Sequence, residues 1–118
     1  MFEIRENKKQ APDGNDVSVL ELGGHFDNVA APKLKEALTK LTKENRLKIV
    51  VDCTKLNFIS SAGIGAVLAV VHTIRAQGGD VKMCAMNEKV MTVFRLLGLE
   101  DVLESFPTLA EALKKYAA

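Results

Sequence analysis

The sequence predicts an α/β fold: a mostly parallel sheet of four to five strands with four helices, in the order β-β-α-β-α-β-α-β-α. Three observations support this. Strand-like apolar runs alternate with helical patterns, which is how crossovers between parallel strands read along a chain. The run Ile49-Val50-Val51 is continuously apolar, as suits a strand covered by helices on both faces. Glycines at Gly23-Gly24, Gly78-Gly79 and Gly98 stand where elements would end, since glycine accepts the left-handed backbone of a helix C-terminus or turn.

Phe2 to Lys9 alternates weakly and reads as an edge strand, antiparallel to its neighbour. Pro12-Asp13-Gly14-Asn15 is a turn, and Val17 to Leu22 follows as the second strand, ended by Gly23-Gly24. Pro32 suits the first turn of a helix, where a missing N–H costs nothing. Leu34, Leu38 and Leu41 draw that helix's apolar stripe, and Asn45 stops it. Leu47 to Cys53 is the third strand. The next helix begins near Ala62, with Ile64, Val67, Leu68, Val71 and Ile74 inward and Gly78-Gly79 as its stop. Asp80 to Met86 reads as a strand, and Glu88 to Leu97 as a helix burying Val90, Met91, Phe94 and Leu97. Val102 to Phe106 reads as a final strand. Thr108 and Glu111 have the spacing of a capping box that opens a last helix through Tyr116.

At 118 residues the chain is expected to form one domain, spanning 1–118, with enough length for one core. Lys and Arg number 16 against 15 Asp and Glu, a net charge of +1, which offers no global attraction to nucleic acid or an anionic membrane. The charges are uneven, however: from Leu56 to Gly79 only Arg75 is charged. The longest apolar run inside this stretch, Ala62 to Val71, has ten residues, short of the roughly 20 that a membrane span needs. The first residues, MFEIRENKKQ, lack a signal-peptide pattern, so the expectation is a cytoplasmic protein. Cys53 and Cys84 sit in apolar segments at no metal or redox spacing and read as buried thiols.

Most signals of catalysis are absent. Gly63-Ile64-Gly65 lacks the third glycine of a dinucleotide fingerprint, and no phosphate loop or nucleophile elbow occurs. His25 and His72 are isolated in sequence. Asp27 and Asp52 could meet at strand ends, but they assemble no nucleophile–base set. The expectation is a protein that is not an enzyme and uses no cofactor or metal. What stands out is Phe58-Ile59-Ser60-Ser61-Ala62-Gly63-Ile64-Gly65: a strand end, two hydroxyls, and a helix start with two glycines. One serine can cap the helix. The glycines lower helix propensity by roughly 1 kcal/mol each, which points to something approaching this backbone closely. A phosphate on a serine here would meet a helix N-terminus that favours anions and would add roughly −1.5 to −2 charges to a neutral surface.

These segments, in order, resemble STAS domains of the anti-sigma factor antagonist type. Gly24-His25-Phe26-Asp27 is similar to the family's G-x-L-D motif, and Ile49-Val50-Val51-Asp52 with Phe58 to Gly65 resembles its strand and F-[MI]-D-S-[ST]-G-L-G segment. Gly78-Gly79-Asp80-Val81 and Val93-Phe94-Arg95-Leu96-Leu97-Gly98-Leu99 resemble its later turn and third-helix end. The resemblance implies a bacterial partner switch in signal transduction and transcription regulation. The unphosphorylated antagonist binds an anti-sigma factor, itself a serine kinase of the histidine-kinase-like ATPase fold, and frees the sigma factor. Phosphorylation of Ser61 ends the complex and a PP2C-type phosphatase restores it. Asp27, Ser60, Ser61, Ala62, Gly63 and Ile64 are the implied partner-binding residues, with Ser60 an alternative acceptor, because it stands where the family has Asp. The implied antagonist is a monomer that touches no DNA. Two alternatives stay open. One is a STAS module that binds a non-sigma effector or serves in a transport complex. The other is a ligand binder or enzyme using Asp27, Asp52 and the Gly63–Gly65 helix start.

Overall fold

In the computed structural model, which describes residues 1–117, five strands form one sheet in the order β1-β2-β3-β4-β5. The strands are β1 (Phe2–Gln10), β2 (Asp16–Phe26), β3 (Lys48–Ile59), β4 (Asp80–Cys84) and β5 (Ser105–Phe106). The helices are α1 (Ala31–Lys43), α2 (Ser61–Ala76), α3 (Glu88–Leu96) and α4 (Leu109–Lys114). β1 is the antiparallel edge and every other pairing is parallel. Element order, strand directions and the edge position of β1 all agree with the sequence pattern.

The sheet carries a core on each face. On one face α1, α2 and α3 bury Leu34, Leu38, Leu41, Ile64, Val67, Val71, Ile74, Val90 and Phe94 against Leu20, Leu22, Val51 and Val81. On the other, Ala112 of α4 and Tyr116 just beyond it lie over Val17, Val19, Val50 and Cys84. Cys53 belongs to the first core and Cys84 to the second, so the two thiols lie on opposite faces. Burial, with smaller effects from Cys84 and Asp52, pushes the Cys53 thiol pKa far up. Burial and the nearby Asp52 push that of Cys84 up to about 12.

Several boundaries differ from the sequence expectation. β2 does not stop at Gly23-Gly24 but runs to Phe26, because Glu3 and Phe2 of β1 pair with these two glycines. Gly24 has φ +86°, and a Cβ there would collide with the Met1 carbonyl; the glycine admits a close backbone approach within the sheet. β3 runs past Cys53 to Ile59. Its pairing with β2 slips twice, between Glu21/Gly23 and Gly24/His25, with β3 contributing one extra residue each time. The inward positions are therefore Ile49, Val51, Cys53, Leu56 and Ile59, two apart at first and three apart later. That is the signature of two bulges.

α2 begins at Ser61, one residue before Ala62, and its Leu68 is only half-buried. β4 ends at Cys84 because Ala85 turns to φ 59°. In α3 the buried residues are Val90 and Phe94, while Met91 is half-buried and Leu97 exposed at the C-cap. The Val102 to Phe106 strand shrinks to Ser105–Phe106. A 3-10 turn, Leu99–Asp101, precedes it, and the Val102 and Leu103 amides donate back to the Leu99 carbonyl at 3.0 and 2.9 Å. Thr108 caps α4 by accepting the Glu111 amide at 3.2 Å. α4 stops at Lys114, and Tyr116 packs beyond it.

A polar cluster ties the far end together, at the start of β3 and β4. Arg75 at the end of α2 pairs with Asp80 at 2.8 Å and donates to the Val102 carbonyl. Lys82, nearly buried, reaches Glu104 at 2.6 Å and Asp80 at 3.2 Å, and lies 5.1 Å from the Tyr116 ring centre. The Tyr116 hydroxyl accepts the Ile49 amide at 3.3 Å and has the carbonyls of Ile49 and Asp80 each at 2.7 Å. Burial works to raise the Asp80 pKa, but the hydrogen bonds from Arg75, the Val81 amide and Lys82 outweigh it and hold the carboxyl below its ordinary value.

Candidate functional site

The ends of β2 and β3 meet at one corner, where Phe26 aligns with Ile59 and the Ser60 amide donates to the Phe26 carbonyl at 2.9 Å. β3 is extended through Ser60, at φ −120° and ψ 153°, and then turns into α2. Ser60 is the N-cap: its Oγ accepts the Gly63 amide at 3.2 Å and its carbonyl accepts the Ile64 amide at 3.1 Å. One hydroxyl is thus committed to one of the orphan amides of the first turn. Ser61 is the first helical residue and is exposed. Among the described residues its hydroxyl has no hydrogen-bond partner.

Asp27 stands beside this corner and organises α1. Its Oδ1 accepts the amides of Val29 and Ala30, each at 3.0 Å, and its carbonyl accepts that of Ala31 at 3.0 Å. Gly63 packs on its backbone, so the close approach anticipated at the glycines is, for Gly63, made by the chain itself. Ile64 belongs to the core. Of the six sequence-singled residues, Ser61 and Ala62 are open to solvent, Asp27 and Ser60 are half-buried, and Gly63 and Ile64 lie beneath the surface. All six are brought together.

Asp52 is not part of this cluster. It accepts the Thr54 amide at 3.0 Å and the Thr54 hydroxyl at 2.6 Å, bracing the first bulge. It sits seven residues before Ile59 along β3, roughly 20 Å at the rise of a strand. Asp27 and Asp52 therefore do not converge. Among the described residues no three His, Cys, Asp or Glu side chains gather as a metal set. A cleft of about 520 Å³ is lined by Arg5, Glu21, Lys33, Asp52 and Lys55 among others, but by neither Ser60 nor Ser61.

The sequence singled out Ala62 and the segment Phe58 to Gly65, but not Val29, Ala66 or Ala69 beside them. Ala62, Gly65, Ala66 and Ala69 are all exposed at positions i, i+3, i+4 and i+7, so they form one face of α2. They stand back to back with the buried Gly63, Ile64, Val67, Val71 and Ile74. Val29, at 77% exposure, and Phe58, at 44%, add bulk near the same end, and the Phe58 ring meets that of His25 edge-on at 5.8 Å. The signal for this face was the charge-free stretch itself. A helix of a protein standing alone ordinarily carries charge on its outer face, whereas this one carries methyl groups and bare backbone. Such a face suits contact with another protein.

The model of the STAS domain family matches residues 8–112. An anti-sigma-F factor antagonist of Mycobacterium tuberculosis, RsfB, is 31% identical over 103 residues, which are 86% of this chain and 82% of that one. An anti-sigma-B factor antagonist of Listeria monocytogenes is 25% identical over 99 residues, 84% of each chain. The crystal structure of an anti-sigma factor antagonist from Mycobacterium paratuberculosis aligns with a TM-score of 0.76 at 24% identity, covering 96% of this chain and 93% of that one. No helix among the described residues is long and apolar enough to cross a membrane. Sheet order, helix layers and the matched span agree: this chain belongs to the STAS domain family.

Proposed function

We propose that this protein is an anti-sigma factor antagonist switched by phosphorylation of Ser61. In the unmodified form, the exposed face of α2 and the Ser61 corner bind an anti-sigma factor that is itself a serine kinase of the histidine-kinase-like ATPase fold. That binding releases the sigma factor. The kinase then transfers the γ-phosphoryl group of its ATP to Ser61 Oγ. The bond from that phosphorus to ADP breaks, the O–P bond forms, and the hydroxyl proton leaves. A PP2C-type phosphatase hydrolyses the ester and resets the protein. The names of the relatives favour this reading, and so does the chemistry of the corner.

The single observation that carries it is the division of labour between the two serines. Ser60 is held as the helix cap, whereas Ser61 is exposed with an unpartnered hydroxyl. A phosphate on Ser61 would sit at the start of α2, where free amides and the helix dipole favour it. The fold would tolerate the modification while the docking face changes from neutral to roughly −1.5 to −2. Incubation with the partner kinase and ATP, followed by peptide mass spectrometry, tests the assignment. Phosphate on Ser61, lost in Ser61→Ala and retained in Ser60→Ala, is the expected result. No phosphate on Ser61 overturns it.

A further inference from the structure

We infer that Asn87 is a positioning residue for the Ser60–Ser61 corner, fixing it from the α3 side; this rests on the reading of Ser61 as the switch residue. β4 ends at Cys84, which pairs with Asp52, so β3 runs on from 53 to 59 with no β4 residue beside it. On the other flank the ladder to β2 continues to Phe26 and Ile59. A strand overhanging its neighbour leaves backbone groups in need of partners on the bare side.

Asn87 supplies one. Its Nδ2 donates to the Leu56 carbonyl at 3.2 Å, while its Oδ1 accepts the Val90 amide at 2.8 Å as the N-cap of α3. No other described hydrogen bond joins α3 to residues 54–59. Leu56 lies at the second bulge, four residues before Ser60, with its side chain in the core. The two ends of one amide thus grip two elements with opposite chemistry. A carboxylate has no donor for the second contact, and a serine is too short to span both. The helix start and the bulge become one unit, and the bulge aims the turn into Ser60 and Ser61. Phosphoryl transfer needs its acceptor oxygen placed to within a fraction of an ångström, so the grip on Leu56 bears on the switch.

Amide hydrogen exchange, read by NMR on the free protein, tests this. Asn87→Asp keeps an equally good cap for α3 and removes the donor to Leu56. The Ser60 and Gly63 amides, which report the corner, are expected to exchange at least tenfold faster than in the native protein, after correction for the change at Val50 in the core. The Val90 amide stays protected. Thr108→Ala, which removes a cap at α4, serves as the control for lost stability. If the Ser60 and Gly63 amides simply follow Val50, or shift no more than in Thr108→Ala, the proposal is overturned. Should Asn87→Asp fail to fold, Asn87→Ser carries the same measurement. Exchange needs no kinase, so a native protein that takes no phosphate would overturn the Ser61 reading alone and leave this result standing.

Discussion

Gly63 rests directly on the backbone of Asp27. A Cβ built on Gly63 would stand 2.9 Å from the Asp27 carbonyl oxygen and 3.1 Å from the edge of the Phe26 ring, whereas one on Gly65 would meet nothing within 4 Å. Two residues apart on a helix are roughly 200° apart around it, so one glycine faces in and the other out. Gly63→Ala is expected to lose about 1–3 kcal/mol to overpacking against backbone that cannot move aside. Gly65→Ala is expected to gain about 0.5–1 kcal/mol from helix propensity. Urea unfolding of both variants checks the contrast. Gly65→Glu should fold normally yet bind the proposed anti-sigma factor partner at least tenfold more weakly, measured by calorimetric titration.

The two serines should separate in the same way. Ser60→Ala removes the N-cap of α2 and is expected to cost about 1 kcal/mol, with no charge change to complicate the measurement. Ser61→Ala touches no hydrogen bond and should stay within about 0.5 kcal/mol of the native protein. Equal losses in the two variants would remove the basis for assigning the cap to one and the switch to the other.

Tyr116 holds the C-terminal segment to the sheet through a hydroxyl that meets the Ile49 amide and the carbonyls of Ile49 and Asp80. Tyr116→Phe leaves those buried groups short of a partner and should cost about 1–3 kcal/mol. Chemical denaturation monitored by circular dichroism provides the number.

Asp80 predicts an acid limb to stability. Its folded pKa lies below its ordinary value, so the unfolded chain takes up a proton first. The contribution is therefore complete above the ordinary carboxylate range, and it is lost as the pH falls through that range toward the folded pKa. Asp80→Asn should flatten this part of a stability–pH curve measured by thermal unfolding. An unchanged slope would show that other carboxylates set it.

The thiols give a further test. Cys53 and Cys84 are buried in separate cores, with the thiol form favoured in both. Neither should react with a disulfide reagent in the native protein at pH 8, because the thiolate is the nucleophile. Both should react once the chain is unfolded in guanidinium. The raised pKa values also mean that this part of stability is whole below the ordinary cysteine range and declines as the pH rises above it.

Periodic elements were legible in the sequence, and places where the period changes were not. The stripes of α1 and α2 and the run Ile49-Val50-Val51 marked their elements, because each keeps one spacing. After Cys53 the inward spacing of β3 switches from two to three, so the pattern dissolved just where the strand continues to Leu56 and Ile59. Gly23-Gly24 read as a terminator, since residue type alone cannot separate a turn glycine from one that admits a neighbouring backbone. The corner was visible as residues without charge, but the outer face of α2 was not. The stripe Ile64, Val67, Val71 and Ile74 marked the covered side, but Ala66 and Ala69 carry no polar or charged group that would mark them as outward, and their exposure shows only in the packed structure. Asn87 was not singled out in the sequence, because its contact with Leu56 spans 31 positions.

The two irregularities in β3 have a consequence for chain length. Each bulge absorbs its own extra residue: Cys53 and Leu56 are three apart yet both inward, and so are Leu56 and Ile59, so the faces of β3 stay matched to those of β2. Loss of one residue at a bulge would restore the regular two-residue spacing there and leave Ile59 inward beside Phe26. Loss of one residue at each bulge would make the whole β2–β3 ladder regular and remove the bend and added twist that bulges bring. The bulges thus set the angle at which β3 delivers Ser60 and Ser61, while the pairing of Phe26 with Ile59 sets where they stand relative to Asp27 and the start of α1.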